Sequence, residues 1–244
     1  ASHQVELFDE ELNKEPYKDI GIKTVKPFTI KKNIKQALNQ LSQINKKIIS
    51  ANKFPLVFGG EHSITPGSID PIVKKYGELV LLHFDAHADL RESYQGEKFS
   101  HASAIKRCLD FKNVKVVSFG IRNLSKPEMN FYNDNRDRIT IFWGKDKKNW
   151  DLSLIKNFFE NKTAYITFDV DGFDASIMPA TGTPEPGGLL WEDVIPIIKK
   201  VCQISNVVGA DINELAPIKN FDSYNFLVAK LAYKILGYTF EFKG

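Results

Sequence analysis

Apolar and polar residues along this chain follow two rhythms that alternate from start to finish. Residues 31–50 place Ile34, Ala37, Leu38, Leu41, Ile44 and Ile48 on one face of a helix. FPLVFGG (54–60) follows, a short apolar run stopped by two glycines. Residues 66–77 read as a helix with Pro66 near its start and Gly77 at its end. LVLLHF (79–84) is apolar at nearly every position, as expected of a strand covered on both faces. Helix 101–111 leads to strand 114–119, and strands 139–142 and 164–168 flank helix 152–160. A helix over 191–203 runs into VVGAD (207–211). The last helix, 224–236, repeats Leu227, Val228, Leu231, Ile235 and Leu236 and is expected to stop at Gly237, before the closing YTFEF.

Strand followed by helix, over and over, predicts an α/β fold: a parallel sheet with helices on both faces. Functional groups in such sheets gather outside the carboxyl ends of the strands. The polar clusters obey this four times. LVF precedes Gly59-Gly60-Glu61-His62, LLHF precedes Asp85-Ala86-His87-Ala88-Asp89, YITF precedes Asp169-Val170-Asp171, and VVGA precedes Asp211-Ile212-Asn213-Glu214.

A single aspartate at a strand end is most often a turn or capping residue, and a single histidine after GGE a loop residue. The spacing of Asp85, His87 and Asp89 argues otherwise, because alternate positions on an extended chain share a face. Asp169 and Asp171 repeat the pattern. Several carboxylates converging at strand ends call for concentrated positive charge. Carboxylates mixed with imidazole suit Mn(II) and similar metals rather than a thiolate zinc site. His62, Asp85, His87, Asp89, Asp169 and Asp171 are too many ligands for one ordinary site. They fit two ions about 3–4 Å apart that activate a water for hydrolysis. His101 opens a helix and by itself reads as a surface or capping residue. His83, inside the apolar strand, reads as a hydrogen-bonded core or supporting histidine. Asp174 reads as a loop or salt-bridge residue, and Arg91 as a structural partner of a carboxylate.

The chain has 244 residues, 43% hydrophobic and 26% charged. This suits one globular domain with a large core, although the length would also accommodate two small ones. A net charge of +3 with scattered basic residues gives no case for nucleic acid. No apolar run is long enough to span a membrane, and the polar ASHQVELFDEELNK start lacks the apolar core of a signal peptide. Cys108 and Cys202 have no CxxC partner and read as buried thiols, which fits a reducing cytoplasm.

GGEHS (59–63), DAHAD (85–89), TFDVDGFDASIMPATGTPEPGGL (167–189) and DINELAP (211–217) stand in the order of the ureohydrolase motifs. Over about residues 30–240 the chain resembles that family, which includes arginase and agmatinase. The resemblance implies a three-layer αβα fold around a mostly parallel eight-stranded sheet. It implies one domain, with residues 1–30 a short N-terminal extension to a core of about 31–244. It also implies two Mn(II) ions per subunit. His62, Asp85, Asp89 and Asp169 would hold one, and Asp85, His87, Asp169 and Asp171 the other. A bridging hydroxide, oriented by Asp89, would attack the guanidinium carbon. Glu214 would pair with the guanidinium, and His101 would give the departing amine its proton.

The segment LRESYQGEKFSHAS (90–103) is similar to the agmatinase version and lacks the arginase pattern for an α-carboxylate. The resemblance therefore points to agmatine, cleaved to putrescine and urea. Aminopropylagmatine, guanidinobutyrate or guanidine are alternatives within the same chemistry. A catalytically silent metal-binding assembly protein and a dinuclear phosphoesterase are the competing classes. Ala175 and Ala180 depart from the family pattern without removing a ligand and bear on the substrate loop. The family implies a homo-oligomer, trimer or hexamer, less firmly here because little sequence precedes the first long helix.

Overall fold

A computed structural model describes residues 2–243. Six strands pair in one sheet: β1 (Leu56–Phe58), β2 (Leu79–Phe84), β3 (Val114–Phe119), β4 (Ile139–Phe142), β5 (Thr163–Asp169) and β6 (Asn206–Asn213). Their order is β1-β6-β5-β2-β3-β4, and every pairing is parallel. The α/β class and the αβα layering follow the sequence expectation. The family pattern implied eight strands, and six are paired among the described residues. Residues 21–33 run without helix or strand and supply no ladder.

Eight helices accompany the sheet among the described residues: α1 (Pro16–Ile20), α2 (Ile34–Ser50), α3 (Thr65–Tyr76), α4 (Ala104–Cys108), α5 (Lys126–Asp134), α6 (Ile155–Phe159), α7 (Trp191–Ile204) and α8 (Ser223–Glu241). Strand periodicity sorts them into layers. Leu79 and Leu81 pack with residues of α2 to α5, such as Ile49, Ile72, Ile105 and Tyr132. Val80, Leu82 and Phe84 pack with residues of α6 to α8, such as Phe159, Ile198 and Leu231. With both faces covered, every residue of β2 is buried, which is why that strand reads as a continuous apolar run.

Four strands carry a phenylalanine at matching register, last in β2, β3 and β4 and next to last in β5. Phe142, Phe119, Phe84 and Phe168 lie side by side across β4-β3-β2-β5. Ring centroids are 4.4 Å (Phe119–Phe142), 5.7 Å (Phe84–Phe119) and 5.0 Å (Phe84–Phe168) apart. This aromatic row is a stiff platform one residue below Asp85 and Asp169.

Two helices differ from expectation. α8 does not stop at Gly237 but continues to Glu241. A β-carbon at Gly237 would come 3.2 Å from Leu12, so this glycine admits the N-terminal segment against the helix instead of ending it. Lys234, also on α8, is buried and bonds Asp9 (3.0 Å) and Glu11 (3.1 Å) across that contact. α5 is not announced by the apolar periodicity, although Ser125 and Glu128 form a capping box with Pro127 in the first turn. Both cysteines are free and buried. No helix of the described residues is long and apolar enough to cross a membrane.

Candidate active site

The chain turns outward in opposite directions from β2 and β5: β3 and β4 extend the sheet one way, β6 and β1 the other. The β2–β5 seam is therefore the switch point, where crossover connections part and leave a crevice. Asp85 to Asp89 leave β2 there, and Asp169 and Asp171 close β5. His62 arrives after β1, and Glu214 follows β6. All four sequence clusters thus meet above one run of four adjacent strands.

The crevice has a volume of about 400 Å³. Six of the eight expected residues line it: His87, Asp89, His101, Asp169, Asp171 and Glu214. His62 and Asp85 lie wholly buried, His62 facing Asp85, Asp89 and Asp169.

His62 Nε2 is 2.8 Å from Thr167 Oγ1, which itself donates to Asp211 Oδ1 at 2.6 Å. Thr167 has spent its one proton, so His62 donates from Nε2. Burial opposes charge on the ring, yet the facing carboxylates outweigh it and raise His62 well above the usual histidine range. Nδ1 faces Asp85 Oδ2 (3.2 Å), Asp89 Oδ2 (3.2 Å) and Asp169 Oδ2 (3.5 Å). It has no hydrogen-bond partner despite complete burial. With its proton displaced, Nδ1 and the three carboxylate oxygens aimed at one point would suit a cation. Asp211 is fixed by Tyr165 Oη (2.9 Å) and Asn213 Nδ2 (2.7 Å).

Beside it, His87 Nδ1 lies 3.1 Å from Asp171 Oδ2 and 3.6 Å from Asp85 Oδ1. Asp85, His87 and Asp171 have ligand atoms close enough to share an ion. Asp85 sits between the two groups. His83 is also near His62 and Asp85, but its nitrogens are taken by Ser118 Oγ (2.9 Å) and Asp85 Oδ2 (3.0 Å). It therefore supports Asp85 from behind, as its place in the apolar strand suggested.

The electrostatics show how much positive charge the cluster demands. Burial and the neighbouring Asp85 push the Asp89 carboxyl up to about 7. Burial, with Asp171 and Asp85 close by, pushes Asp169 well above the usual carboxylate range. Burial opposes charge on Asp85 as well, but contacts with His62, His83 and His87 bring it well below that range. On His87 burial favours the neutral ring, yet Asp171 and Asp85 outweigh it and raise it to about 11. Crowded carboxylates favour holding protons here, and a divalent ion would replace them with greater charge density. The donor set fits a metal centre.

Two site residues sit in the left-handed region, Asp89 at φ 52° and Glu214 at φ 64°. Such backbone costs on the order of 1–3 kcal/mol in a non-glycine residue. Glu214 is held there by its own N–H on Gly60 O (2.7 Å) and by its Oε1 accepting from His62 N (2.6 Å). Burial raises its carboxyl above the ordinary value.

Residues overlooked in the sequence serve mainly to hold the ligands. Thr167, inside a strand, looked like an ordinary β former. Thr183 Oγ1 donates to Asp171 Oδ2 at 3.0 Å. Arg122 bonds the carbonyls of Asp171 and Glu185, both at 2.7 Å, tying a site aspartate to the 180–188 loop. Nothing in its local sequence sets Arg122 apart. Arg91 lines the cleft, with its Nε 3.6 Å from Glu128 Oε2 and its guanidinium over Tyr94. Asp174 is the loop residue expected, accepting from Ser176 and Gly188.

Fold and site together give a parallel α/β protein with a buried carboxylate–imidazole cluster of metal-binding type at the ends of its central strands. Comparison with known proteins agrees. The arginase family model matches residues 1–237. The N(1)-aminopropylagmatine ureohydrolase of Synechocystis sp. is 33% identical over 98% of this chain and 79% of its own length. The agmatinase of Bacillus anthracis is 34% identical over 86% of this chain and 70% of its own length. The crystal structure of the agmatine ureohydrolase of Thermoplasma volcanium superposes with a TM-score of 0.84 at 27% identity, covering 98% of this chain and 80% of that one. The chain belongs to the arginase family and is a ureohydrolase-type enzyme.

Proposed function

We propose that the protein hydrolyses the guanidinium group of agmatine to putrescine and urea, with two Mn(II) ions per chain. His62, Asp85, Asp89 and Asp169 would hold one ion, and Asp85, His87, Asp169 and Asp171 the other. Bound there, the pair supplies a water acidified enough to act as a nucleophile at neutral pH. Asp89, lining the cleft, offers a carboxylate oxygen to orient that water. Glu214 receives the cationic guanidinium through a charge-assisted hydrogen bond. His101 donates a proton to the amine nitrogen as the C–N bond breaks, since an amide anion cannot leave. The guanidinium and water become urea and an alkylammonium, with charge conserved.

The observation that carries this reading is Glu214, a half-buried carboxylate held in a strained conformation on the wall of the cleft whose floor is the His/Asp cluster. A carboxylate there suits a cation and repels a phosphate ester. Aminopropylagmatine is the second reading, favoured by the 98% coverage of this chain in its similarity to an enzyme named for that substrate. A homo-oligomer belongs to the same proposal, with the exposed Ile22, Val25, Phe28 and Ile30 offering a subunit contact.

The test is urea release by manganese-loaded protein from agmatine, aminopropylagmatine, guanidinobutyrate, guanidine and arginine. Agmatine should show the highest kcat/KM. A higher value for aminopropylagmatine would transfer the assignment to it. Phosphate-ester turnover without urea from any guanidine would overturn both readings.

A further inference from the structure

The geometry points to Glu61 as a positioning residue for His101, fixing the ring so that Nε2 alone serves the proton transfer. This rests on the proton-donor role given to His101 above.

Glu61 Oε1 and His101 Nδ1 are 3.1 Å apart. A carboxylate only accepts, so the shared proton belongs to Nδ1. Nε2 is then the one ring nitrogen left, and both side chains line the cleft. Tyr94 packs edge-on against the imidazole, with centroids 5.4 Å apart, and limits its tilt. Tyr94 in turn lies under Arg91, which reaches the buried Glu128.

An exposed carboxylate–histidine contact is ordinarily weak and mobile. This one is steadied by the backbone under Glu61. Gly59 N–H bonds Ile212 O (2.9 Å), Gly60 O accepts from Glu214 N, and His62 N–H bonds the Glu214 carboxylate. The chain is thus clamped on both sides of Glu61. Gly59 is obligatory to that clamp, because a β-carbon there would collide with the Asn213 side chain. His101 opens a 3-10 turn (His101–Ser103) that packs on the corresponding turn His62–Ile64. Donor and positioning residue therefore ride on two short turns in contact.

Glu61 also lies close to Glu214, so direct binding of the guanidinium is the competing role. The observed contact favours positioning, since Oε1 is already engaged by Nδ1.

A kinetic cycle separates the two, using E61Q, E61A, H101N and E61A/H101N, with rates per metal-loaded subunit and bound metal measured for each. E61A should lower kcat about 10- to 30-fold and change KM less than about 3-fold, the scale of misplacing a proton donor. E61Q should recover part of kcat, because its amide oxygen still accepts from Nδ1. On the H101N background E61A should have no further effect. A raised KM at unchanged kcat, an equal loss in the H101N background, or loss of bound metal in E61A would each overturn the positioning role. Full activity in H101N alone would instead overturn the proton-donor reading on which it rests.

Discussion

The floor and the rim of the cleft are built on different principles. The floor is His62, Asp85, Asp169, Asp171 and their supports Thr167, Asp211 and His83, nearly all wholly buried on or just past strands. The rim is Glu61, Tyr94, His101 and Glu214, on loops and turns, with Glu61 exposed and the other three half-buried. The supports of the floor have their partners fixed by sheet register. Thr167 and Asp211 are register neighbours on β5 and β6, as are His83 and Ser118 on β2 and β3. Rim groups are aligned by turns, by a glycine pair and by aromatic edges. On the proposed function, chemistry that needs fixed ligand positions would sit where the fold is stiffest. Substrate reading would sit where sequence change is tolerated best.

Substitutions should separate the two regions. On the floor, Asp169→Asn removes charge where both ion positions are expected to share it. Bound manganese should fall and urea release should drop at least about 10³-fold. Metal analysis of the purified variant is the check, and unchanged metal content would remove Asp169 from the shared position. On the rim, Glu214→Gln should leave metal content intact while lowering kcat/KM about 300-fold, as expected for truncating one partner of a desolvated charge pair. Metal loss in that variant would erase the division between floor and rim.

Thr167→Val breaks the relay without touching a ligand. It should weaken metal affinity about 30-fold through the loosened His62 tautomer, read by metal titration. Affinity equal to wild type would show that the relay does not matter. The smallest effect belongs to Asp174, beneath the rim loop. The Ser176 hydroxyl and the Ser176 and Gly188 amides hold its carboxyl at about 2. A depressed pKa adds stability that is present above the ordinary value near 4 and is lost as pH falls toward 2. Asp174→Asn should therefore lower Tm by a few degrees at pH 7, about 1 kcal/mol or less for this partly exposed group. The gap should narrow below pH 4, and a gap that widened would contradict the sign.

Much of the floor was legible in the sequence because period two and strand-end placement are local properties. Asp85, His87 and Asp89 declare a shared face within five residues, and the apolar run before them declares the strand. The Thr167 relay was not legible. It depends on which strand lies beside β5, and that order is set by crossovers spanning tens of residues. Arg122 is similar: its value lies in carbonyls some 50 to 60 residues away. Helix α5 was legible and missed, since its capping box and proline are in plain view. The end of α8 was misread for the opposite reason. Gly237 looks like a stop signal locally, and only the packing of Leu12 explains a glycine inside the helix. Glu61 stands inside the GGEHS run, but its link to His101, 40 residues on, appears only once the two turns meet.

The central claim is that the buried His/Asp floor is a two-ion centre serving guanidine hydrolysis. The most direct measurement is stepwise addition of Mn(II) to metal-stripped protein, following bound metal and urea release from agmatine together. Urea formation should be absent without metal and should rise with bound manganese to a plateau at two ions per chain. Saturation of binding at two ions with no urea from agmatine or any other guanidine, or urea release independent of metal, would contradict it.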